Sequence, residues 1–141
     1  MLVRLLYASR AVETSPEVLI ESILQQSRRN NPEIGITGVL CHGSDLFLQV
    51  LEGGRAAVNT LYNRIASDRR HREVTLLHYE EILERRFSGW TMGQVNLSKV
   101  NSSTILKYSE RAVIDPYALS GRVTAALTDE LMVTASIVGR C

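Results

Sequence analysis

Tyr7, Asn31 and Gln49 are the residues of this sequence whose chemistry is hardest to explain by packing alone. Gln49 lies in residues 46–51, a run that is apolar on both alternating faces and is therefore typical of a strand buried on both sides. A buried amide loses its water and must find hydrogen-bond partners, either in the protein or in a bound ligand. We expect a ligand to supply part of them.

The helix-facing side of the predicted sheet collects polar groups that suit recognition. Alternation along the strands places Tyr7 and Gln49 on that side, while Asn31 ends the first predicted helix and Ser27 lies one turn earlier. The set therefore holds a phenol, two amides and a hydroxyl, with no acid pair, His–Cys pair or metal cluster beside them. Such groups are donors and acceptors rather than nucleophiles or bases. They suit a flat, uncharged heterocycle with amide edges better than they suit hydrolysis.

The elements that must position these groups follow the order β-α-β-β-α-β-β. Strands are predicted at residues 2–8, 35–42, 46–51, 74–79 and 90–97. The first helix starts at Thr14–Glu17, where Thr14 or Ser15 can cap, and stops at Asn30–Pro32. The second helix opens at residues 53–54 and ends at residues 68–71, a charged cluster expected to face solvent. This order predicts an α+β, ferredoxin-like, five-stranded mixed sheet with both helices on one face.

Residues 98–141 are predicted to cover the other face of the sheet, which also presents apolar residues. They are predicted to form one or two short helices around a turn at Asp115–Pro116, with residues 117–127 helical. Residues 131–138 fit either a helix extension or a subunit contact. We therefore expect a domain at residues 1–97 and a helical extension at residues 98–141 that belongs to the same folded unit.

Composition argues against several classes of protein. The 141 residues carry 16 basic and 15 acidic side chains, a balance that disfavours a nucleic-acid binder. The two cysteines, Cys41 and Cys141, form neither a disulfide framework nor a zinc site. The sequence shows no signal peptide and no apolar run of the roughly 20 residues that a membrane span needs. These features predict a cytoplasmic protein without a metal or a membrane partner.

Five pieces of the chain stand in a characteristic order: L-L-Y-A-S (5–9), N-N-P-E-I-G-I-T-G-V-L (30–40), F-L-Q-V-L-E-G (47–53), V-N-T-L-Y-N-R-I-A-S-D-R-R-H (58–71) and R-F-S-G-W-T-M-G (86–93). In these pieces, which span about two thirds of the chain, the sequence resembles the BLUF domain, a blue-light receptor module that uses flavin. The fold that this resemblance implies agrees with the one read from the pattern.

The resemblance also implies roles for individual residues. Tyr7 matches the phenol that donates an electron and then a proton to the excited flavin, and Gln49 matches the switching glutamine that bridges this phenol and the flavin ring. Asn31 and Asn30 match residues that contact the flavin. Trp90 and Met92 match a pair near the glutamine that relays the signal. Further residues match positions that line the ring or the ribityl mouth: Ile23, Ser27, Phe47, Arg64, Asp68 and His71.

The expected function is thus a light sensor rather than an enzyme. Its cofactor is expected to be FAD, with FMN and riboflavin also compatible. Since no effector domain is recognised after the sensor, we expect the output to pass to a separate protein or through a homo-oligomer. Two alternatives stay open: a small enzyme of the acylphosphatase type, for which Ala8–Ser9–Arg10 is a weak anion loop, and an interaction module without flavin. Whether the glutamine rotates or tautomerises also stays open.

Overall fold

The computed structural model describes residues 1–12 and 16–134, with no statement for the side chains of Pro16 and Thr134. Three features named from the sequence lie outside the described residues: the caps Thr14 and Ser15, the end of the stretch at residues 131–138, and Cys141. The elements are β1 (Leu2–Ala11), α1 (Pro16–Ile34), β2 (Thr37–Gly43), β3 (Leu46–Gly54), α2 (Arg55–Ala66), β4 (His71–Ile82), β5 (Gly93–Asn96), a 3₁₀ turn (Leu97–Lys99), α3 (Ser102–Leu106) and α4 (Gly121–Thr134).

The five strands form one mixed sheet in the order β4-β1-β3-β2-β5. β1 runs antiparallel to both β3 and β4, β2 runs antiparallel to β3, and β5 runs parallel to β2. This arrangement confirms the ferredoxin-like pattern with one added strand. Its register places Tyr7 of β1 directly opposite Gln49 of β3 in the centre of the sheet.

Alternation along β3 sorts the core into two layers. Phe47 and Leu51 pack with the buried side chains of α1 and α2, and Gln49 lies between them on the same face. Leu48 and Val50 face the other way and pack with the buried side chains of α4. Both halves of the prediction are confirmed, because both helices lie on one face and the C-terminal segment covers the other.

Helix α1 ends later than predicted, because it passes through Pro32 and stops at Ile34. A proline in the last turn removes a single N–H donor, and its effect on the preceding residue is a bias and not a prohibition. The turn closes when the N–H of Ile36 donates to the carbonyl of Asn31 at 2.9 Å, beside Gly35 with a φ of +71°. Asn31 is therefore a helical residue, and its carbonyl accepts the hydrogen bond that closes the turn.

The predicted strand at residues 90–97 is shorter in the structure, where β5 covers only Gly93–Asn96. Trp90 lies in the preceding loop, where its N–H donates to the carbonyl of Phe87 at 2.9 Å and its own carbonyl accepts from Gly38 at 3.1 Å. The chain bends between Trp90 and β5, so strand alternation does not relate Trp90 to Met92. In contrast, β4 is longer than predicted and already begins at His71.

The C-terminal segment turns at Asp115–Pro116 as predicted, with the Ala118 N–H donating to the Asp115 carbonyl at 3.1 Å. Helix α4 begins at Gly121 and not at Tyr117, and the hydroxyl of Ser120 accepts from the Val123 N–H at 3.1 Å. A Cβ atom at Gly121 would lie 1.7 Å from the Leu77 carbonyl oxygen, so glycine is needed for α4 to approach β4 this closely. In residues 1–12 and 16–134, the helices are too short or too polar to cross a membrane.

Candidate functional site

Tyr7 and Gln49 form a buried hydrogen-bonded pair in the centre of the sheet. Each side chain is 2% exposed, and the phenol of Tyr7 donates a short hydrogen bond to Oε1 of Gln49. Burial raises the pKa of Tyr7, and the negative charge of Asp68 and the neighbouring phenol Tyr62 raise it further. The phenol therefore keeps its proton at physiological pH and acts as the donor in this pair.

The other end of the Gln49 amide points to Met92. Nε2 of Gln49 donates to the thioether sulfur of Met92 across 3.3 Å, inside the core that packs under α1 and α2. Tyr7, Gln49 and Met92 thus form a chain of hydrogen bonds in which the amide uses its acceptor at one end and a donor at the other. A thioether is a weak acceptor, so the second link is the softer of the two.

Trp90 lies away from this chain, on the opposite face of the sheet. Its ring stacks on Phe87, with the ring centroids 5.3 Å apart and the planes at 22°, in the core that packs under α4. The structure therefore brings Met92, and not Trp90, to Gln49. The resemblance had placed both residues near the glutamine, and a continuous strand over residues 90–97 would have kept residues two apart on one face.

A cleft opens between α1 and α2 above Tyr7 and Gln49. It holds about 680 Å³ of empty space, part of which is open to solvent. Nine of the twelve predicted site residues line it: Tyr7, Ile23, Ser27, Asn30, Asn31, Gln49, Arg64, Asp68 and His71. The structure thus assembles, from three strands, two helices and the loop between α2 and β4, most of the set that the sequence named.

Phe47 is the one predicted lining residue that lies below the cleft. It is fully buried in the core, and its ring meets the ring of His71 edge-on, with centroids 5.5 Å apart. His71 in turn exchanges a hydrogen bond with the hydroxyl of Ser9 at 3.0 Å. Phe47 therefore supports a wall of the cleft through His71 and forms no part of its surface.

Asn31 carries an unpaired polar atom at this cleft. Its side chain is 3% exposed, and in the described part of the chain its Nδ2 is the buried side-chain nitrogen or oxygen left without a hydrogen-bond partner. An amide N–H without a partner in a buried place costs free energy, roughly 1–3 kcal/mol. A ligand with a carbonyl at this position would remove that cost.

The mouth of the cleft is charged, although the D-R-R-H cluster was expected to face solvent. Of these four residues Arg69 is exposed, whereas Asp68, Arg70 and His71 are partly buried and line the cleft. Arg70 donates to both carboxylate oxygens of Asp68, with the shortest contact at 2.6 Å, and reaches the hydroxyl of Ser22 at 3.2 Å. These hydrogen bonds lower the pKa of Asp68, so it stays ionised.

His71 responds to the same surroundings. Its pKa is lowered mainly by burial, the negative charge of Asp68 opposes that shift and the positive charge of Arg70 adds to it. The imidazole is therefore neutral at physiological pH. It can exchange one hydrogen bond with Ser9 and offer its other nitrogen to a ligand.

Sequence reasoning missed five residues that line the cleft: Gln26, Ile34, Leu61, Ile65 and Arg70. The sequence contained a pattern that could have identified four of them, because Gln26, Ile34, Leu61 and Ile65 each lie three or four positions from a predicted site residue. Ile34 is one turn after Asn30 and Asn31, Leu61 lies three positions before Arg64, and Ile65 lies three positions before Asp68. Helical spacing extended by one turn in each direction would have found these side chains.

The cleft is lined mainly by hydrogen-bond donors and acceptors and by apolar side chains. Over residues 1–12 and 16–134, no group of three or more His, Cys, Asp or Glu side chains is arranged to hold a metal ion. Arg10, the residue considered for an anion loop, forms ion pairs with Asp45 at 3.0 Å and with Glu73 at 3.1 Å. Carboxylates thus already occupy the guanidinium that an acylphosphatase-type enzyme would need for its substrate.

Comparison with known sequences gives a consistent result. The profile of a family described as "BLUF: Sensors of blue-light using FAD" matches residues 2–93. The photoactivated adenylate cyclase subunit beta of Euglena gracilis is 39% identical over 92 residues, which is 64% of this chain and 11% of that protein. The blue light- and temperature-regulated antirepressor BluF of Escherichia coli is 32% identical over 87 residues, 62% of this chain and 22% of that protein. The chain thus spans a small part of these relatives.

Solved structures match almost the whole chain. The photo-activated state of BlsA superimposes with a TM-score of 0.83 at 31% identity and covers 95% of this chain and 96% of that one. The dark state of BlrB, described as a BLUF protein, gives a TM-score of 0.70 at 33% identity and covers 89% of this chain and 96% of that one. The similarity to BlsA therefore extends beyond residue 93 into the C-terminal segment.

Proposed function

The chain belongs to the BLUF family of blue-light sensors that use FAD, and from this premise we propose that Tyr7, Gln49 and Met92 form its light-responsive element at a flavin held in the cleft between α1 and α2. One observation carries the proposal: a buried phenol–amide–thioether chain borders a cleft in which the buried Nδ2 of Asn31 has no partner. A flavin ring has carbonyl and imide groups along one edge, so it suits a site made of amide donors and acceptors.

Several side chains would hold the flavin. Asn31 and Asn30 would donate to its carbonyl edge, and Ile23 and Ile65 would pack against the flat ring. Arg64 lines the exposed rim of the cleft, where its positive charge suits the phosphates of FAD or FMN. Riboflavin has no phosphate for it to bind. Together with the family description, this favours FAD.

The bound flavin would supply the absorption of blue light and the oxidising power of its excited state. Tyr7 would then lose an electron, and its Oη proton would move along the existing hydrogen bond to Oε1 of Gln49. A buried neutral phenol is a poor donor in the dark, so this transfer waits for light.

Gln49 would convert the transfer into a lasting change. If the amide rotates by half a turn, its N–H groups meet Tyr7 and its carbonyl meets Met92, which can accept but not donate. If it tautomerises, the oxygen carries the proton and the nitrogen loses one. In either case, Gln49 offers different partners to the flavin and to Met92, which gives a local switch with two arrangements.

The output is proposed to reach a separate effector protein or to change self-association. Relatives support the first route, since the Euglena protein is named as a subunit of a photoactivated adenylate cyclase and the Escherichia coli protein as an antirepressor. In both relatives the matching part is a fraction of a longer chain. The sensing part proposed for this chain is not itself catalytic.

The direct test is to purify the protein, load it with FAD and illuminate it with blue light. We expect a yellow protein whose flavin absorption moves slightly to longer wavelength and returns in the dark. A colourless protein that cannot be reconstituted with FAD, FMN or riboflavin would reject the proposal in favour of an interaction module. A yellow protein without a reversible shift would reject the light-responsive role.

Replacing Asn31 by alanine should weaken flavin binding by about 10- to 100-fold, the loss of one hydrogen bond of roughly 1.4–2.7 kcal/mol. The apoprotein should lose little stability, because Nδ2 of Asn31 has no partner to lose and alanine favours the helix. Isothermal titration with FAD and urea unfolding of the apoprotein measure the two effects separately.

The matched control is Gln25→Ala, which removes an exposed side-chain amide from the same helix at a position that does not line the cleft. We expect a smaller loss of affinity there. Equal losses for both variants, or a large loss of apoprotein stability in Asn31→Ala, would contradict the role given to Nδ2.

A further inference from the structure

Glu52 is a buried carboxylate near the end of β3 that the proposed light response does not use. Its side chain is 0% exposed, and it accepts hydrogen bonds from Nε of Arg4 at 2.7 Å and from the main-chain N–H groups of Arg86 at 3.0 Å and Phe87 at 2.8 Å. A buried charge is tolerated only when it is paired and fully hydrogen-bonded. Glu52 therefore ties β1 and β3 firmly to the loop between β4 and β5.

That loop, residues 83–92, carries both Trp90 and Met92. Phe87, whose N–H is bound to Glu52, accepts from the Trp90 N–H through its carbonyl and stacks under the Trp90 ring. Two residues further along, Met92 reaches Gln49 at 3.3 Å. A short path of hydrogen bonds and one ring contact thus connects the Glu52 carboxylate to the partner of the switching amide.

Helix α4, on the same face of the sheet as Glu52, contacts the loop as well. The side chain of Arg86, whose N–H is bound to Glu52, forms an ion pair with Asp129 of α4. That pair is exposed and weak, as surface ion pairs are. The buried Glu52 contacts are charge-assisted and therefore dominate the placement of the loop.

From these contacts we infer that Glu52 is a positioning residue, which holds residues 83–92 so that Met92 faces Gln49 and Trp90 stays on the opposite face of the sheet. The inference rests on the proposed function, because the partner of Gln49 matters only if Gln49 switches. Glu52 touches neither the cleft nor Gln49, so it acts through the loop.

The test is Glu52→Gln in the FAD-loaded protein. Glutamine keeps the shape of the side chain but loses the negative charge. Its NH₂ group must face one of the N–H groups that donate to the carboxylate in the parent protein, and that hydrogen bond is lost. We expect the reversible red shift to persist while dark recovery becomes at least about tenfold slower, since the dark arrangement of the amide loses Met92 as the acceptor of its Nε2. Recovery within twofold of the parent protein would overturn the inference.

A second readout needs no flavin. Trp90 is the only tryptophan of the chain, so its emission in the apoprotein reports the loop directly. In Glu52→Gln we expect this emission to move to longer wavelength as the ring leaves Phe87 and meets water. Unchanged tryptophan emission in Glu52→Gln would overturn the inference about Glu52. A parent protein that does not respond to light would count against the proposed function alone, because the emission test needs no light response.

The matched control is Glu80→Gln, which makes the same chemical change at the other carboxylate bound to Arg4. The Glu80 side chain is about half-exposed and contacts Arg4 at 2.7 Å and His78 at 3.7 Å. Dark recovery of this variant should therefore stay within twofold of the parent protein, and its tryptophan emission should not shift. If Glu52→Gln does not fold, Arg4→Lys gives the same test, because it keeps the charge but loses the multiple contacts of the guanidinium.

A double variant separates positioning from general destabilisation. If Glu52 acts through Met92, then Glu52→Gln should alter recovery less than twofold in a Met92→Ala background, although it alters it tenfold in the parent. Effects that multiply in Glu52→Gln/Met92→Ala would show that Glu52 acts elsewhere.

Discussion

Replacing Tyr7 by phenylalanine is expected to abolish the blue-light shift while FAD remains bound. The change removes one oxygen atom, so the ring still fills the space beneath the cleft, but the electron donor with an ionisable proton is gone. Flavin fluorescence should rise, because Tyr7 no longer competes with emission. Absorption difference spectra and fluorescence lifetimes of the loaded protein measure both effects.

The variant also leaves Oε1 of Gln49 without its donor. An unpaired buried acceptor costs about 1–3 kcal/mol, so a modest loss of stability should accompany the loss of the photocycle. The control is Tyr79→Phe, which changes a partly exposed tyrosine opposite Leu5 on the neighbouring strand. We expect a normal shift there. A normal shift in Tyr7→Phe would refute the mechanism.

Replacing Gln49 by leucine is the second change expected to remove the shift completely. Leucine approximates the size of the side chain but can neither accept from Tyr7 nor donate to Met92, so no alternative hydrogen-bonding arrangement exists. Tyr7 stays in place as electron donor. Flavin fluorescence should therefore remain low, in contrast to Tyr7→Phe, and this difference separates the donor from the switch.

The control for Gln49→Leu is Gln94→Leu, which removes an amide from β5. Gln94 contacts His42 at 2.7 Å and lies outside the cleft. A normal photocycle in Gln94→Leu together with its loss in Gln49→Leu would assign the switch to one amide. A light-induced red shift of parental size in Gln49→Leu would show that another group switches.

The two variants are also coupled energetically. Each single change leaves one buried polar group without a partner, whereas Tyr7→Phe/Gln49→Leu removes the phenol and its acceptor together. Replacement of both partners by apolar groups is often nearly neutral. The double variant should therefore be more stable than the sum of the single losses predicts, by about 1 kcal/mol or more in urea unfolding.

Several features of this protein follow from the sequence by itself. The apolar run around Gln49 needs burial on both faces, and the order of strands and helices leaves few ways to provide it, so the ferredoxin-like sheet was predictable. Alternation then placed Tyr7 and Gln49 on one face without knowledge of any distance. The resemblance supplied the family, and family comparison confirms it.

The tertiary structure decided what depends on contacts between distant parts of the chain. Local pattern did not predict that α1 continues through Pro32, since this depends on how Asn31 and Gly35 close the turn. The resemblance left Trp90 and Met92 as equal candidates for the residue beside Gln49. A continuous strand would place both on one face, but Glu52, a residue 34 positions before Arg86, holds the loop in a different path.

The same distinction applies to the site. Alternation and helical spacing brought Tyr7, Gln49, Asn31 and Ser27 together, because each lies on a face that local periodicity defines. The resemblance supplied the other five predicted residues that line the cleft: Ile23, Asn30, Arg64, Asp68 and His71. The unpaired Nδ2 of Asn31 and the choice of Met92 as partner of Gln49 appeared only in the folded chain. Hydrogen-bond satisfaction is a property of neighbours in space, and a sequence lists neighbours only along the chain.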